Sequence, residues 1–230
     1  MALQAVIFDL DDTLYDFSSM HRPGLEAMAC RGAELFGMPK QDFLNAYQEA
    51  DRQIKQEQPY AAACHNRTLI LQRALEWLAL PSLGTDLLAL YESYWGVFLE
   101  RIRPRPGAVE LLQELRCRGI RIGICTDMTA HIQHRKLAAL GLAEAIDCMV
   151  SSEEAGVEKP RPEIFQMCLR KLGAEASGSM MVGDAFARDV CGAHAAGLVP
   201  VWLNAREERA PAVDFAYREI HRLEELQTML

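Results

Sequence analysis

Three acidic side chains follow the first apolar run of the sequence at close spacing. Ala5–Phe8 is short and apolar, and Asp9, Asp11 and Asp12 come within the next four positions. Residues two apart in an extended chain face the same way, so the carboxylates of Asp9 and Asp11 can act on one object. Carboxylates gathered beside a buried strand are costly unless a cation neutralises them. On this stretch alone, an acidic turn or a helix N-cap stays open as the alternative.

Three later segments place further polar groups directly after apolar runs. Thr126-Asp127 follows the run Ile120–Cys125, Lys159-Pro160 follows Ile146–Val150, and Gly183-Asp184, with Asp189 five residues on, follows Met180–Val182. Ligands of an open α/β sheet bind outside the carboxyl ends of its strands, and these segments would meet there. Each segment alone has a structural explanation, as a helix cap or a solvated charge. Together and in this order, they predict one site with carboxylates, a hydroxyl and an ammonium group.

The elements that must position these groups follow a regular alternation. The four apolar runs, with Val199–Leu203 as a fifth, alternate with helical patterns that each end at a glycine: Gly107–Arg118, Thr129–Leu140, Pro162–Leu172 and Arg188–Ala196. Short apolar runs bounded by turn signals suit buried parallel strands, and a glycine after a helix suits its C-cap. This rhythm predicts an α/β fold with a mostly parallel sheet.

One long stretch interrupts the alternation. Between residues 17 and 97 no strand-like run occurs, and apolar residues recur three and four apart in Leu25–Phe36, Phe43–Ile54, Thr68–Leu78 and Asp86–Leu99. This spacing is typical of amphipathic helices. We therefore expect an α/β core of residues 1–16 and 98–230, with a helical insertion of residues 17–97.

Composition and charge exclude several classes of protein. The 230 residues are 50% hydrophobic and 24% charged, a globular profile rather than a disordered one. No apolar run reaches the ~20 residues that span a bilayer, and the opening MALQAVIFDL lacks the features of a signal peptide. A net charge of −8 disfavours a nucleic acid polymer as partner, and the short run Arg101, Arg103 and Arg105 is interpreted as solvated charge. Seven cysteines without a Cys-x-x-Cys pair favour a reducing compartment, so we expect a cytoplasmic protein.

The four polar segments resemble the motifs of the haloacid dehalogenase-like hydrolase superfamily. The matching residues are Asp9-Leu10-Asp11-Asp12-Thr13, then Thr126, then Lys159 in its Lys-Pro pair, and finally Gly183-Asp184 with Asp189. The insertion resembles the small helical cap of that family, so the resemblance covers the whole chain. It implies a Rossmann-like parallel sheet with helices on both faces, plus an inserted α-helical cap domain. Asp127 is a departure, because many members carry asparagine after the motif-two hydroxyl.

The resemblance also implies catalytic roles. Asp9 would be the nucleophile that forms an aspartyl-phosphate intermediate. Asp11 would protonate the leaving oxygen and then deprotonate the attacking water. Thr126, Asp127 and Lys159 would contact the phosphoryl group. Arg67, in a polar turn of the cap, is one of several candidate contacts for the rest of the substrate.

A metal site is the other implication of the resemblance. Mg²⁺ would be held by oxygen atoms of Asp9, Asp11 and Asp184, with Asp11 contributing its backbone carbonyl. Asp189 would position Lys159 or a water molecule on the metal. The expected function is thus a Mg²⁺-dependent phosphatase that acts on a small phosphate ester, such as a nucleotide or a sugar phosphate. A monomer or a homodimer is expected.

Three other functions stay open. A sugar phosphomutase shares every core residue named above. A 2-haloacid dehalogenase resembles the chain as well, but those enzymes lack the second aspartate of motif one, which is present here as Asp11. Outside enzymes, a phosphate-binding regulatory module is the alternative, which the order of the motifs and the long insertion disfavour.

Overall fold

The computed structural model describes residues 2–230, which form two compact units. One unit consists of the chain up to Asp16 together with Arg103–Leu230, and the other is Phe17–Ile102. The helical unit ends five residues beyond the boundary expected at residue 97. No helix among residues 2–230 is long and apolar enough to cross a membrane.

The first unit is built on a sheet of six parallel strands. These are β1 (Ala5–Phe8), β2 (Arg121–Thr126), β3 (Cys148–Ser151), β4 (Ser179–Gly183), β5 (Val199–Leu203) and β6 (Arg218–Ile220), in the order β3-β2-β1-β4-β5-β6. Phe8 at the end of β1 pairs with Ile124 on one side and Val182 on the other. The carboxyl ends of β1, β2 and β4 therefore lie side by side. The predicted α/β fold with a parallel sheet is confirmed.

Helices flank this sheet and close its core. They are α5 (Ala108–Cys117), α6 (Ala130–Leu140), α7 (Ser152–Ala155), α8 (Pro162–Leu172) and α9 (Cys191–Ala195), the last preceded by a π-helical turn at Phe186–Val190. Ala5 and Ile7 of β1 pack in one apolar cluster with Phe165 and Cys168 of α8. Successive strand residues face opposite sides, so a short strand such as β1 presents apolar groups to both faces of the sheet.

The second unit contains four α-helices: α1 (Phe17–Phe36), α2 (Lys40–Glu57), α3 (Arg67–Trp77) and α4 (Thr85–Arg101). Its core contains Leu71 of α3 and Tyr94 and Phe98 of α4, all fully buried. Helix α1 begins at Phe17, eight residues before the helix start predicted at Leu25. Pro23 and Gly24 are typical of a turn, but both lie inside this helix. A side chain at position 24 would meet the Tyr94 ring at 2.8 Å, so the glycine allows α1 to approach α4.

Candidate active site

Strand ends bring the predicted site residues of the core together. The backbone N–H of Asp9 donates to the carbonyl of Val182 at 2.9 Å, which extends the pairing of β1 and β4 by one residue. Thr126 is the last residue of β2, and Gly183 ends β4. Lys159 lies in the loop before α8, and its side chain extends back to the end of β1.

The ammonium group of Lys159 lies between two carboxylates. Its Nζ is 2.6 Å from Oδ1 of Asp9 and 2.7 Å from Oδ1 of Asp189, and only 2% of the side chain is exposed. Burial alone disfavours the ammonium form, but the carboxylates of Asp189 and Asp9 outweigh it and raise the pKa of Lys159 well above its ordinary value. Lys159 is therefore a fixed positive charge beside Asp9.

Asp189 is held in place by the loop after β4. Its Oδ1 accepts from Lys159, and its Oδ2 accepts from the backbone N–H of Ala185 at 2.9 Å. A Cβ at position 183 would lie 2.3 Å from Cγ of Asp189, so Gly183 leaves the space that this carboxylate occupies. Both oxygens of Asp189 are thus engaged, an arrangement that suits the positioning of Lys159.

Three carboxylates approach one another at this point. Asp9, Asp184 and Asp189 each offer an oxygen, and these oxygens lie within 4.8 Å of one another. Burial, with the other carboxylates nearby, raises the pKa of Asp9 well above its ordinary value and that of Asp184 to about 6. With the single charge of Lys159, the ionised cluster has a formal excess of two negative charges. Such a set of oxygen donors fits a hard divalent cation such as Mg²⁺.

Thr13 and Trp202 hold Asp184 in place. The Thr13 hydroxyl accepts from the backbone N–H of Asp184 at 3.2 Å and lies 3.3 Å from its Oδ1. The indole N–H of Trp202 donates to the carbonyl of Asp184 at 2.9 Å. A cavity of about 220 Å³, lined in part by Asp12, Asp184 and Arg206, opens beside this carboxylate and gives a small molecule room to approach it.

The Asp11 carboxylate has different partners. Lys136 donates to both of its oxygens at 2.7 and 2.8 Å, and the Tyr15 hydroxyl donates to Oδ1. Burial alone would raise its pKa, but the ion pair with Lys136 and the hydrogen bonds from Tyr15 and Gln133 outweigh it and lower the pKa of Asp11. The part of Asp11 predicted to hold the metal is its backbone carbonyl, and this role stays a prediction.

Gln133 joins Asp11 to Thr126. Its side-chain amide donates to Oγ1 of Thr126 at 2.6 Å and lies 3.4 Å from Oδ2 of Asp11. Because the Thr126 oxygen accepts this bond, the hydroxyl proton of Thr126 is left to donate elsewhere. Neither Gln133 nor Lys136 was predicted from the sequence to belong to the site. The signal that could have found them is two polar side chains three apart on the helix that follows Thr126.

Asp127 fastens the loop that carries Lys159. Its Oδ1 accepts from the backbone N–H of Lys159 at 2.9 Å, and its Oδ2 lies 3.6 Å from the guanidinium of Arg188. Burial raises the pKa of Asp127, while the positive charge of Lys159 offsets part of that rise. The acid that stands in place of the usual asparagine therefore has a cationic partner in this chain.

Arg105 is not simply the solvated charge that the sequence of its short arginine run indicated. Its guanidinium donates to the carbonyl of Asp12 at 2.7 Å and to that of Thr13 at 3.1 Å. Asp12 has a left-handed backbone with φ of 59°, so its loop benefits from these bonds. Arg105 fixes the turn that follows Asp11, a role that only the folded chain reveals.

Arg67 lies in the helical unit and is 8% exposed. Its guanidinium donates to the hydroxyls of Tyr47 and Tyr94 and lies 3.7 Å from the centre of the Tyr94 ring. Tyr94 also contacts Nδ1 of His21 at 2.8 Å. Burial and the charge of Arg67 lower the pKa of His21 to about 4. The role of Arg67 as a substrate contact stays a prediction.

The chain is similar to several known proteins. A model of the haloacid dehalogenase-like hydrolase family matches residues 3–197. A ribulose-1,5-bisphosphate 5-phosphatase from Halopiger xanaduensis is 39% identical over 89% of this chain and 86% of its own length. A glyceraldehyde 3-phosphate phosphatase from Methanothermobacter thermautotrophicus is 32% identical over 88% of this chain and 86% of its own length.

A solved structure is similar as well. The crystal structure of a HAD phosphatase from Thermococcus onnurineus matches with a TM-score of 0.79 at 25% identity, covering 99% of this chain and 97% of its own. The family model spans most of the chain, including all four strand-end segments of the site. The chain therefore belongs to the haloacid dehalogenase-like hydrolase family.

Proposed function

We propose that this protein is a Mg²⁺-dependent phosphatase that hydrolyses small phosphorylated metabolites through an aspartyl-phosphate intermediate. The observation that carries the proposal is the position of Lys159 Nζ, 2.6 Å from Oδ1 of Asp9. A carboxylate beside a fixed cation and two further acids is suited to accept a phosphoryl group. A site for hydride transfer or for a neutral substrate would not require this concentration of charge.

In this proposal, Asp9 Oδ attacks phosphorus while the bond from phosphorus to the leaving oxygen breaks. Asp11, whose ionised form is favoured by Lys136, must first take up a proton, which it gives to that leaving oxygen; it then takes a proton back from the water that hydrolyses the acyl phosphate. Lys159 neutralises charge on the phosphoryl oxygens, and the Thr126 hydroxyl donates a hydrogen bond to them. Asp9, Asp184 and the Asp11 carbonyl would hold Mg²⁺, which would supply further neutralisation of the phosphoryl charge.

Magnitudes explain why so many charged groups are needed. The hydrolysis of phosphate monoesters demands accelerations of up to ~10²¹-fold. A positioned acid–base group supplies only about 10²–10⁴-fold of this. Lys159, the metal and the Thr126 hydroxyl must therefore contribute most of the remainder through electrostatic stabilisation.

The substrate class is proposed from the relatives. Their names refer to ribulose 1,5-bisphosphate, glyceraldehyde 3-phosphate and, for a protein from Escherichia coli 32% identical over 96% of both chains, pyrimidine nucleotides. All are small phosphate esters of a sugar, a triose or a nucleoside. We therefore propose a sugar phosphate or a nucleotide as substrate. The cytoplasmic location and the state as monomer or homodimer stay predictions.

The experiment is an assay with p-nitrophenyl phosphate, with and without Mg²⁺, on the wild type and on Asp9→Asn. A panel of sugar phosphates and pyrimidine nucleoside monophosphates follows, with both released phosphate and isomerised product measured. We expect Mg²⁺-dependent release of phosphate that Asp9→Asn abolishes. Turnover without metal, or full activity in Asp9→Asn, would contradict the mechanism, and isomerised product without free phosphate would favour a phosphomutase.

A further inference from the structure

Lys136 is a buried lysine that the reaction outlined above does not use. It lies on α6 with no exposed side-chain surface, and its Nζ is 2.7 and 2.8 Å from the two oxygens of Asp11. The sulfur of Met128 lies 3.3 Å from the same nitrogen. A buried ammonium group is costly unless a carboxylate pairs with it, so the position of Lys136 is tied to that of Asp11.

The Asp11 carboxylate of this ion pair has two further hydrogen-bond partners. The Tyr15 hydroxyl donates to Oδ1 of Asp11, and Gln133, which lies one turn before Lys136, approaches Oδ2 at 3.4 Å. The Asp11 side chain itself is 22% exposed, so these partners hold a carboxylate that solvent can still reach. One face of α6 thus orients Asp11 through Lys136 and Thr126 through Gln133.

We propose that Lys136 is a positioning residue for the reaction, because it fixes the orientation of the Asp11 carboxylate that exchanges a proton with the leaving oxygen. This inference rests on the proposed phosphatase function. Both hydrogen bonds of the Lys136 ammonium group to a carboxylate go to Asp11, so Lys136 acts on the reaction through Asp11. Without its two hydrogen bonds, the carboxylate would rotate and hydrate, and misplacement of a reacting group lowers rates steeply.

If Lys136 has this positioning role, the loss of activity in its variants should depend on how basic the leaving group is. The proton from Asp11 matters most when the departing oxygen is a strong base, as in phenyl phosphate. It matters little for p-nitrophenyl phosphate, whose phenolate departs readily without a proton. These two substrates are similar in shape, so the ratio of their kcat/KM values isolates the proton transfer from binding.

The test compares the two substrates in the wild type, Lys136→Met, Asp11→Asn and the double variant. We expect Lys136→Met to lower kcat/KM for phenyl phosphate by about tenfold more than for p-nitrophenyl phosphate, a fraction of what a general acid contributes. In the Asp11→Asn background, Lys136→Met should leave the ratio unchanged, because the group it positions has been replaced. Lys171→Met removes a surface lysine paired with Glu154 and serves as the control.

Two results would overturn the inference. One is an equal loss on both substrates in Lys136→Met, which is what a merely structural role produces. The other is a further change of the ratio in the Asp11→Asn background. If Lys136→Met does not fold, as judged by thermal unfolding, Lys136→Gln is used instead; its amide loses the ion pair but can keep one hydrogen bond, so it should show the same preferential loss on phenyl phosphate at a smaller size. A wild type that hydrolyses neither substrate would instead refute the proposed function.

Discussion

The side-chain nitrogen of Lys159 lies 2.6 Å from Oδ1 of Asp9, although the two residues are 150 positions apart in sequence. The two residues meet because Asp9 directly follows the central strand β1 and the loop before α8 returns to the same edge of the sheet. The ion pair would place the positive charge beside the carboxylate proposed to attack phosphorus.

Replacement of this lysine tests its electrostatic role. We expect Lys159→Met to lower kcat by about 10²–10³-fold, the loss seen when one group that stabilises the transition state is removed. Exposed Lys171 is the matched control, and Lys171→Met should keep wild-type activity. Steady-state kinetics on p-nitrophenyl phosphate give the answer, and a loss below threefold in Lys159→Met would be inconsistent with this role.

Gly183 is expected to tolerate no side chain. In Gly183→Ala the new methyl group would overlap the Asp189 carboxylate, so Asp189 must move away from Lys159 and activity should fall by at least tenfold, a change of about 1.4 kcal/mol in the barrier. Gly96 provides the control, because a Cβ at that helical position would meet no atom within 4 Å outside its chain neighbours and the backbone of its own helix. Gly96→Ala should keep activity and gain up to about 1 kcal/mol of stability. Equal activity in the two variants would show that Asp189 needs no such space.

Binding of Mg²⁺ should weaken in acid. Burial and the neighbouring acids raise the pKa of Asp184 to about 6, so below that pH a proton competes with the metal for this carboxylate. We expect the dissociation constant for Mg²⁺ to rise by up to about tenfold for each pH unit below 6. Isothermal titration calorimetry between pH 5 and pH 8 measures this dissociation constant. Asp184→Asn is the control and should bind Mg²⁺ more weakly than the wild type over the whole pH range. An affinity independent of pH would contradict the assignment.

The helical unit should also show a pH-dependent stability. The folded pKa of His21 is about 4, below its ordinary value of 6.5, because of burial and the charge of Arg67. Well above pH 6.5 the ring is neutral in both the folded and the unfolded chain, so its titration does not change the free energy of unfolding. Between pH 6.5 and pH 4 only the unfolded chain takes up the proton, so stability falls as pH falls, by about 1–2 kcal/mol for a ring that solvent partly screens.

Urea unfolding of the full chain at pH 7.5 and pH 4.5 provides this measurement. His21→Gln keeps a polar side chain without a titrating ring, so its loss of stability in acid should be smaller than that of the wild type. The difference between the two proteins removes the contribution of the other acidic groups. A loss in His21→Gln as large as that of the wild type would contradict the shift at His21.

Much of the core was predictable from local pattern. The apolar runs Ala5–Phe8 and Val199–Leu203 are strands with those bounds, since their patterns are strong and glycine or polar residues flank them. The strand β6 was missed, because it has three residues and two of them are the charged Arg218 and Glu219. Such a short edge strand depends on its pairing with β5, which sequence periodicity does not reveal.

The residues of the candidate site also fall into two groups, those that the sequence indicated and those that only the structure shows. Asp9, Thr126 and Asp184, proposed to contact phosphate or metal, lie at or directly after strand ends, so their positions in the chain indicated them. Lys136, Gln133 and Arg105 act on other residues of the site, and each is one of many polar side chains on a helix or loop. Only the folded structure shows which groups these three side chains contact, because the fold decides which face of α6 lies over Asp11 and where the loop that carries Arg105 lies.

The central claim is that Asp9 carries the phosphoryl group during turnover. The most direct measurement is acid quenching of the enzyme within milliseconds of mixing with p-nitrophenyl phosphate and Mg²⁺, followed by borohydride reduction and peptide mass spectrometry. An acyl phosphate on Asp9 is reduced to homoserine, so we predict homoserine at position 9 in the wild type and none without substrate. Turnover with an unmodified Asp9 peptide, or with homoserine at another position, would contradict the account.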